Sequence, residues 1–175
     1  MAHTFYDGTI PVLQSLMLTL KHILTKASTN PGPNASATIT ESTFLTTRLI
    51  EDMHPLADQI RLATQFAENL AARLTNRDPT KFDGAPTTLA QSYERIEAVL
   101  KALGEAEKDV VNGQADVLKP TQVGPTAVVE MSGAGYAHRI VLPNVYFHVM
   151  TAYGILRKEG VQVGKRDYYE GFFPQ

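Results

Sequence analysis

The amino-acid sequence predicts an all-α fold, a four-helix bundle with a short extended or hairpin segment before its last helix. Four long stretches repeat apolar residues at steps of three and four, the spacing of a helix with one buried face. One of them contains a run, residues 142–156, without any Asp, Glu, Lys or Arg, as expected of a helix enclosed by other elements. Residues 126–131 have the β-branched character of a short strand. At 175 residues the chain fits a single domain, 1–175, whose core can form without disulfides or metals.

Composition excludes several classes of function. The chain has no cysteine, which removes disulfides, thiolate metal ligands and cysteine nucleophiles. The formal net charge is -2 with both signs interspersed, so nucleic acid is not an expected partner. The N-terminus lacks the basic and apolar regions of a signal peptide, and the charge-free run is shorter than the roughly 20 residues that span a bilayer. We therefore expect a cytoplasmic protein with no membrane partner.

The first predicted helix follows a short N-terminal arm, and Pro11 suits its first turn. Its core-facing stripe consists of Ile10, Leu13, Met17, Leu20 and Leu24. Two prolines and a glycine between Lys26 and Asn34 predict a loop after this helix.

The second long helix follows a short one that is predicted over residues 43–50. Asp52 is in position to be its N-cap, and Pro55 is tolerated in its first turn. Its stripe consists of Met53, Leu56, Ile60, Ala63, Ala67, Leu70 and Leu74.

The third helix begins with a capping box formed by Thr88 and Gln91, and Gly104 is in position for a left-handed C-cap. Its stripe consists of Leu89, Tyr93, Ile96, Leu100 and Leu103. Between residues 105 and 132 the helical pattern weakens, which predicts an extended segment or a small hairpin that caps the bundle.

The fourth helix begins near Ala134 or at Pro143, because a proline either starts a helix or kinks a longer one. It ends at Glu159, and Gly160 is in position for the C-cap. We expect the aromatic residues of the tail to pack on the bundle or on a second subunit. They are Tyr168, Tyr169, Phe172 and Phe173.

The candidate functional residues concentrate on the fourth helix. Asn144 and His148 lie one turn apart on the same face, which Thr151 extends. Imidazole has the only unperturbed side-chain pKa near neutrality, so His148 is a candidate acid/base, with Asn144 and Tyr146 holding an oxyanion. The alternative is a core histidine that Asn144 or Thr151 satisfies and that only stabilises the bundle. His138 is a further candidate, ten residues before His148.

Asp52 also has two interpretations. It is either the helix cap or a carboxylate that orients the neighbouring His54.

Two blocks of sequence carry a resemblance to a known family. The run LPN-x-YFH-x-x-TAY-x-ILR-x-x-GV-x-x-GK-x-D spans residues 142–167, and the block D-M-x-P-L-x-x-Q spans residues 52–59. Together they resemble a bacterial and fungal domain-of-unknown-function family that is grouped with the DinB/YfiT-like superfamily of proposed metalloenzymes. The resemblance covers nearly the whole chain. It implies a DinB-like four-helix bundle that is often dimeric, and it supplies no activity.

In that superfamily a metal typically lies between one His of the second helix and an H-x-x-x-H pair of the fourth. Here the pair is Asn144 and His148, so the first position is an amide. A cluster of His54, Asn144 and His148 is geometrically possible, and Zn, Ni or Fe could accept its two imidazoles together with waters. No cofactor is firmly implied, and a divalent metal stays open.

Three functions follow from these observations. The leading hypothesis is a non-redox enzyme, an isomerase, lyase or cyclase, that acts on a small metabolite through His148. The second is a metal-dependent DinB-like hydrolase or thiol transferase. The third is a non-catalytic dimer that binds a ligand or a protein partner. A homodimer is expected in any case, because the resemblance implies one and because the first helix and the aromatic tail supply apolar surface.

Overall fold

The protein is mostly helical, as the periodicity predicts, with one short β-hairpin. The structure is a computed structural model that describes residues 2–29 and 41–173. In chain order the elements are α1 (Ile10–Thr29), α2 (Glu41–Thr46), α3 (Leu56–Leu74), α4 (Leu89–Gly104), α5 (Lys108–Gly113), β1 (Leu118–Val123), β2 (Ala127–Ser132), α6 (Gly133–Tyr136), a π-helical turn (Ala137–Val141), α7 (Leu142–Lys158), α8 (Lys165–Tyr169) and a 3-10 turn (Glu170–Phe172).

The four long helices pack around one core. α3 contacts both α4 and α7, and α1 contacts the same two helices, so α1 and α3 lie at opposite corners of the bundle. The apolar stripes of the sequence face this core. Ile10, Leu13, Met17, Leu20 and Leu24 of α1 are all fully buried. Because burial of one such side chain stabilises by about 1.5 to 3 kcal/mol, these stripes explain why the helices assemble.

The segment between α4 and α6 contains the predicted hairpin. β1 and β2 pair antiparallel, with Leu118 opposite Ser132 and Val123 opposite Ala127. A positive-φ glycine, Gly124 at φ 70, lies in the connecting turn, where only glycine adopts this conformation at no cost. The short helix α5 precedes the hairpin and was not predicted.

One predicted helix start, that of α3, and one predicted helix end, that of α2, differ from the structure. Asp52 is not an N-cap: it lies exposed in a turn in which the Met53 N–H donates to the Ile50 carbonyl at 3.0 Å. α3 starts at Leu56 with the extended Pro55 in the N-cap position and no side-chain cap bond. Asp52 is therefore too far from the first free N–H groups of the helix. Likewise α2 ends at Thr46 rather than extending to residue 50.

The caps of α4 and α7 show one further correction. Thr88 caps α4 as predicted, since its side chain accepts from the Gln91 N–H at 3.1 Å. Gly104 is not a left-handed cap: it is the last helical residue, and Glu105 continues the right-handed backbone. After α7 the left-handed residue is Gly160 with φ 86, as predicted.

The last long helix begins before Pro143 and widens there. α6, the π-helical turn and α7 form one continuous path from Gly133 to Lys158. Pro143 has no N–H for the carbonyl one turn earlier, and the backbone accommodates this with the π turn that ends at Val141. The structure thus selects the longer, distorted helix of the two predicted alternatives.

The C-terminal tail docks on α1. Asp167 contacts His22 Nε2 at 3.0 Å and Lys26 Nζ at 2.9 Å. The Thr19 hydroxyl donates to the Tyr168 carbonyl at 2.9 Å. Gly171 lies so close to α1 that a Cβ there would clash with the Ser15 carbonyl oxygen. Tyr168 and Phe172 pack against the core, which confirms docking on the bundle for two of the four tail aromatics.

Two further sequence-based expectations bear on this description. Residues 30–34 of the predicted loop lie outside the described residues. Within the described ranges, no helix has both the length and the apolar character needed to cross a membrane.

Candidate functional site

His148 lies on the face of α7 that packs against α3. Its side chain is nearly buried, with 7% of the residue exposed. The ring stacks on Phe66 of α3 at a centroid distance of 6.2 Å, and Phe147 meets it edge-on at 5.3 Å. Two aromatic rings therefore restrict the imidazole to one orientation.

A chain of two hydrogen bonds determines which ring nitrogen of His148 carries the proton. Gln59 Nε2 donates to the His54 carbonyl oxygen at 2.9 Å, and Gln59 Oε1 lies 2.7 Å from His148 Nδ1. A carbonyl oxygen only accepts, so the amide nitrogen of Gln59 must face His54 and its oxygen must face the ring. Nδ1 is consequently the protonated nitrogen, and Nε2 carries a lone pair.

The Nε2 atom of His148 is the ring nitrogen that the surrounding side chains leave open. Among the described residues it has no hydrogen-bond partner, and it is not fully buried. A neutral imidazole with one fixed N–H and one open lone pair can accept a proton or a hydrogen bond from a small molecule.

His148 is kept neutral by its surroundings. Burial, the largest cause, and the electrostatic effects of His54 and Arg61 together lower its pKa from 6.5 to about 4. The imidazole is therefore unprotonated at neutral pH, and its lone pair is available.

Arg61, Asp58 and His54 lie at the rim beside His148. Arg61 Nε donates to Asp58 Oδ1 at 2.7 Å, and among the described residues its two terminal nitrogens have no partner. His54 is largely exposed, with 64% of its side chain accessible and Nδ1 at 3.8 Å from Asp58 Oδ2. The terminal nitrogens of Arg61 are the strongest free donors at this rim, in the fork geometry that suits a carboxylate.

Asn144 does not contact His148, contrary to the expectation from their spacing. Its Nδ2 donates to the Ile140 carbonyl at 2.6 Å, at the point where the π turn passes into α7. Thr151 likewise bonds within the helix, to the Phe147 carbonyl at 2.8 Å. The partner of His148 is Gln59 of α3, and the amide of Asn144 is used to satisfy a backbone carbonyl next to Pro143.

The other predicted site residues lie apart from His148. Tyr146 is on the outer face of α7, and burial raises its pKa. His138 is exposed and meets Phe5 edge-on at 5.9 Å. Asp52 is exposed in the loop before α3 and makes no contact with His54 within the described part of the chain. Of the six candidates, only His54 and His148 influence one another, through the charge of His54.

The donor set around His148 does not fit the metal that the superfamily implies. Two of the three positions lack a free, converging ligand atom, since the amide of Asn144 is bonded to its own helix and His54 is exposed beside Asp58. Within residues 2–29 and 41–173, no group of three or more His, Cys, Asp or Glu side chains could hold a metal ion. His148 contributes one open nitrogen, which is too few for a stable site.

Sequence reasoning missed Gln59 and Arg61 as site residues. Gln59 is the last residue of the D-M-x-P-L-x-x-Q block, so the block contained the signal. A buried glutamine, here 1% exposed, is costly unless it is paired, and pairing with His148 is its reason for being there. Arg61 shares its turn of α3 with Asp58, and this spacing suggested only a surface ion pair.

Comparisons with known proteins agree with the fold. A crystal structure of a DinB family member protein from Shewanella denitrificans is similar to this chain, with 32% sequence identity and a TM-score of 0.81 over 94% of this chain and 90% of that one. No curated protein matches the sequence at a significant level. The model of a domain of unknown function, DUF1993, matches residues 5–169. The chain therefore belongs to the DUF1993 family of domains, and its fold is that of a DinB family member.

Proposed function

We propose that the protein is a non-redox enzyme of the isomerase or lyase type, which acts on a small anionic metabolite with His148 as its acid/base. The observation that supports this most strongly is the open Nε2 of a ring whose other nitrogen is fixed by Gln59. Because Nε2 is not fully buried, it is accessible to a small molecule that can take the place of water.

The proposed proton transfer uses Nε2 alone. Nε2 takes a proton from a substrate C–H or O–H group, and the imidazolium that forms keeps its Nδ1–H bond to Gln59 Oε1. Return of the proton to another atom of the substrate completes an isomerisation. In an elimination the electron pair of the broken C–H bond forms the double bond, the bond from the neighbouring carbon to the leaving group breaks, and the leaving group takes the proton from Nε2.

The charge of the substrate changes the basicity of His148 in this step. The pKa of His148, lowered to about 4, makes the free imidazole a weak base. A negatively charged substrate beside it opposes the charges of Arg61 and His54 and so raises the pKa of His148 towards neutrality. His148 becomes an effective base only when the correct substrate is bound.

Arg61 is the proposed anion-binding residue. Its terminal nitrogens are free among the described residues, and its charge acts on His148. A carboxylate held there in a bidentate manner would bring a negative charge within the range over which Arg61 acts on His148. Asn144, the oxyanion residue of the sequence-based hypothesis, has its amide nitrogen bonded to Ile140 and does not take this role.

Proton exchange tests the proposal without knowledge of the natural substrate. A panel of small hydroxy, keto and unsaturated carboxylates is incubated with the protein in D2O, and loss of C–H signals is followed by proton NMR. We expect exchange or conversion of at least one compound by the wild type. His148→Gln should reduce its rate by about 100- to 10,000-fold, the typical contribution of an acid/base.

His138→Gln is the matched control, because His138 is exposed and apart from the site. It should react at the wild-type rate. Equal rates for His148→Gln and wild type would refute the role of His148. Absence of both binding and exchange for every anion of the panel would refute the anionic substrate class.

A second proposal concerns assembly, and one observation favours it. The outer face of α7 exposes Phe147 by 56% and Met150 by 53%, and Tyr146 and Leu49 extend the same apolar surface. Patches of this kind mark interaction surfaces. The stripe of the first helix, from which apolar surface for a dimer was expected together with the aromatic tail, is buried in its own bundle. We propose that a second copy of the chain covers the α7 face.

Light scattering at micromolar concentration tests the dimer. Wild type should have twice the mass of the chain, and Phe147→Glu should be monomeric, because a charge in an apolar interface is costly. Lys101→Glu, on an exposed side chain of α4, is the control and should remain dimeric. A monomeric wild type would overturn the proposal.

A further inference from the structure

A cavity lies toward the C-terminal end of α3, between that helix, the β1 strand and α6. It encloses about 660 Å³, and the side chains that matter here are Asn69, Arg73, Lys119 and Tyr136. Arg73 follows Gln59 by fourteen residues, which is about 21 Å along a helix axis. Phe66, which stacks on His148, also lines this cavity, but Arg73, Lys119 and Tyr136 lie beyond it, away from Gln59 and His148.

Arg73 lies in the wall of this cavity without an acidic partner. Its Nη1 donates to the Thr121 hydroxyl at 2.7 Å, and its Nη2 donates to the carbonyls of Lys119 and Met131. All of these acceptors are neutral. Nε is buried and, within the described part of the chain, has no acceptor. Its hydrogen-bond partners therefore leave the guanidinium without a carboxylate in direct contact, and the electrostatic effect of Glu130 offsets its charge only in part.

The role of Arg73 in attaching the hairpin does not account for this charge. Neutral donors would serve the same oxygens, and desolvation of an unpaired cation opposes folding. Burial indeed lowers the pKa of Arg73, although Tyr136 and Glu130 act in the opposite direction. The guanidinium also stands 4.7 Å above the Tyr136 ring.

Lys119 adds a second cation with neutral partners. Its Nζ donates to the Arg73 carbonyl at 3.3 Å and to Asn76 Oδ1 at 3.1 Å. An ammonium has three N–H groups, so one donor is left for a further acceptor.

Two neutral side chains complete the lining. Burial raises the pKa of Tyr136 more than Arg73 and Asn69 lower it, so the hydroxyl stays protonated and can donate. Asn69 Oδ1 accepts from Gln65 Nε2 at 2.8 Å, and the Asn69 amide nitrogen donates to the Tyr136 hydroxyl oxygen, which leaves the hydroxyl proton of Tyr136 to donate into the cavity. Both side chains line the same cavity as the two cations.

Arg77 and Asp78 are the other charged side chains that line the cavity. Arg77 is paired with the buried carboxylate of Glu68 at 2.6 Å, so it adds little net charge. Asp78 also lines the cavity and is exposed at its edge. Its negative charge would repel a bound anion, and replacement of Asp78 by a neutral residue should therefore strengthen anion binding.

We propose that this cavity is a binding site for a small oxyanion, a phosphate or a carboxylate group, held by Arg73, Lys119 and the Tyr136 hydroxyl. The oxyanion supplies the negative charge that both cations lack, and it accepts from donors that converge on one space. This site does not depend on the proposed chemistry at His148.

Isothermal titration with two probes tests the site and distinguishes the sources of the oxyanion: inorganic phosphate and citrate. We expect one of them to bind the wild type. Lys119→Gln and Tyr136→Phe should each weaken it by about tenfold, the typical effect of losing a hydrogen bond to a charged group. Tyr136→Phe keeps the ring under Arg73, so this variant retains the packing of the cavity even if Lys119→Gln loosens the hairpin.

Two further variants make the result specific. Asp78→Asn should tighten binding severalfold, because a repulsive charge is removed without a change of shape. Lys101→Gln removes an exposed charge of α4 and should bind as wild type does. His148→Gln should also bind normally, which separates this site from the proposed enzyme function.

The proposal is overturned if neither probe binds the wild type below about 10 mM, a level at which association is too weak to matter. It is equally overturned if all variants bind as tightly as Lys101→Gln, because the anion would then be held elsewhere.

Discussion

Acidification from pH 7 to pH 4.5 should destabilise the protein through His148. The native ring is neutral, with its pKa lowered from 6.5 to about 4 by burial and by the nearby charges of His54 and Arg61. The unfolded chain takes up a proton near pH 6.5, whereas the native state resists protonation until about pH 4. Because the native pKa of His148 is lowered, its contribution to the free energy of unfolding is complete above pH 6.5 and is lost as the pH falls towards 4.

The magnitude follows from the shift. One pKa unit corresponds to about 1.4 kcal/mol. Between pH 7 and pH 4.5 the unfolded state gains about three quarters of a proton and the native state gains about a quarter of one, and the free energy of unfolding falls by about 2 kcal/mol. Replacement by glutamine removes the titrating group, so the free energy of unfolding of His148→Gln should lack this component.

Urea unfolding at intervals between pH 7 and pH 4.5 measures the difference. The difference in free energy of unfolding between wild type and His148→Gln should decrease by about 2 kcal/mol from pH 7 to pH 4.5. His138→Gln is the control: since His138 is exposed, its curve should run parallel to that of wild type. Parallel curves for wild type and His148→Gln would show that the native imidazole titrates normally, and the reasoning on its burial and charge would be wrong.

Three other changes test the packing that supports the sites. Gly171→Ala should destabilise the protein by about 2 kcal/mol and lower its Tm by several degrees, because the added Cβ would clash with the Ser15 carbonyl oxygen. An unchanged Tm would show that the tail is not docked as described. Burial raises the pKa of Asp167, but hydrogen bonds to Gly164, His22 and Lys26 lower it more, to about 2. Asp167→Asn should therefore cost about 2 kcal/mol in urea unfolding at pH 7, and this cost should disappear as the pH falls from 4 towards 2; a constant cost would contradict it. Glu68→Gln breaks the ion pair between Arg77 and the Glu68 carboxylate, which is 1% exposed, and should lower the free energy of unfolding by about 3 kcal/mol in the same assay. Glu105→Gln, at an exposed side chain, is the control and should change it little.

The long helices could be predicted from the sequence because burial repeats with the period of the helix. The stripe from Ile10 to Leu24 is fully buried, and the β-branched residues before Ser132 form the second strand of the hairpin. These features depend on neighbours that are close in sequence, where pattern and structure are directly linked.

The features that could not be predicted depend on contacts between distant segments or on backbone detail. Gln59 and His148 are 89 residues apart, so no local pattern shows that the glutamine, rather than Asn144, is the partner of the imidazole. The amide of Asn144 is diverted by a π turn whose position depends on Pro143. Asp52 satisfies the composition of an N-cap, but an extended Pro55 already occupies that position.

The state of the His148 ring is the most direct test of the account, and nitrogen-15 NMR of the imidazole measures it. The account predicts a neutral ring at pH 7 with a protonated Nδ1 and an unprotonated Nε2, and a change in the Nε2 signal when a small carboxylate binds. Arg61→Gln should weaken that response without changing the tautomer. A ring protonated on Nε2 at pH 7, as the other tautomer or as imidazolium, would leave no lone pair open to a substrate and would contradict the proposed acid/base role.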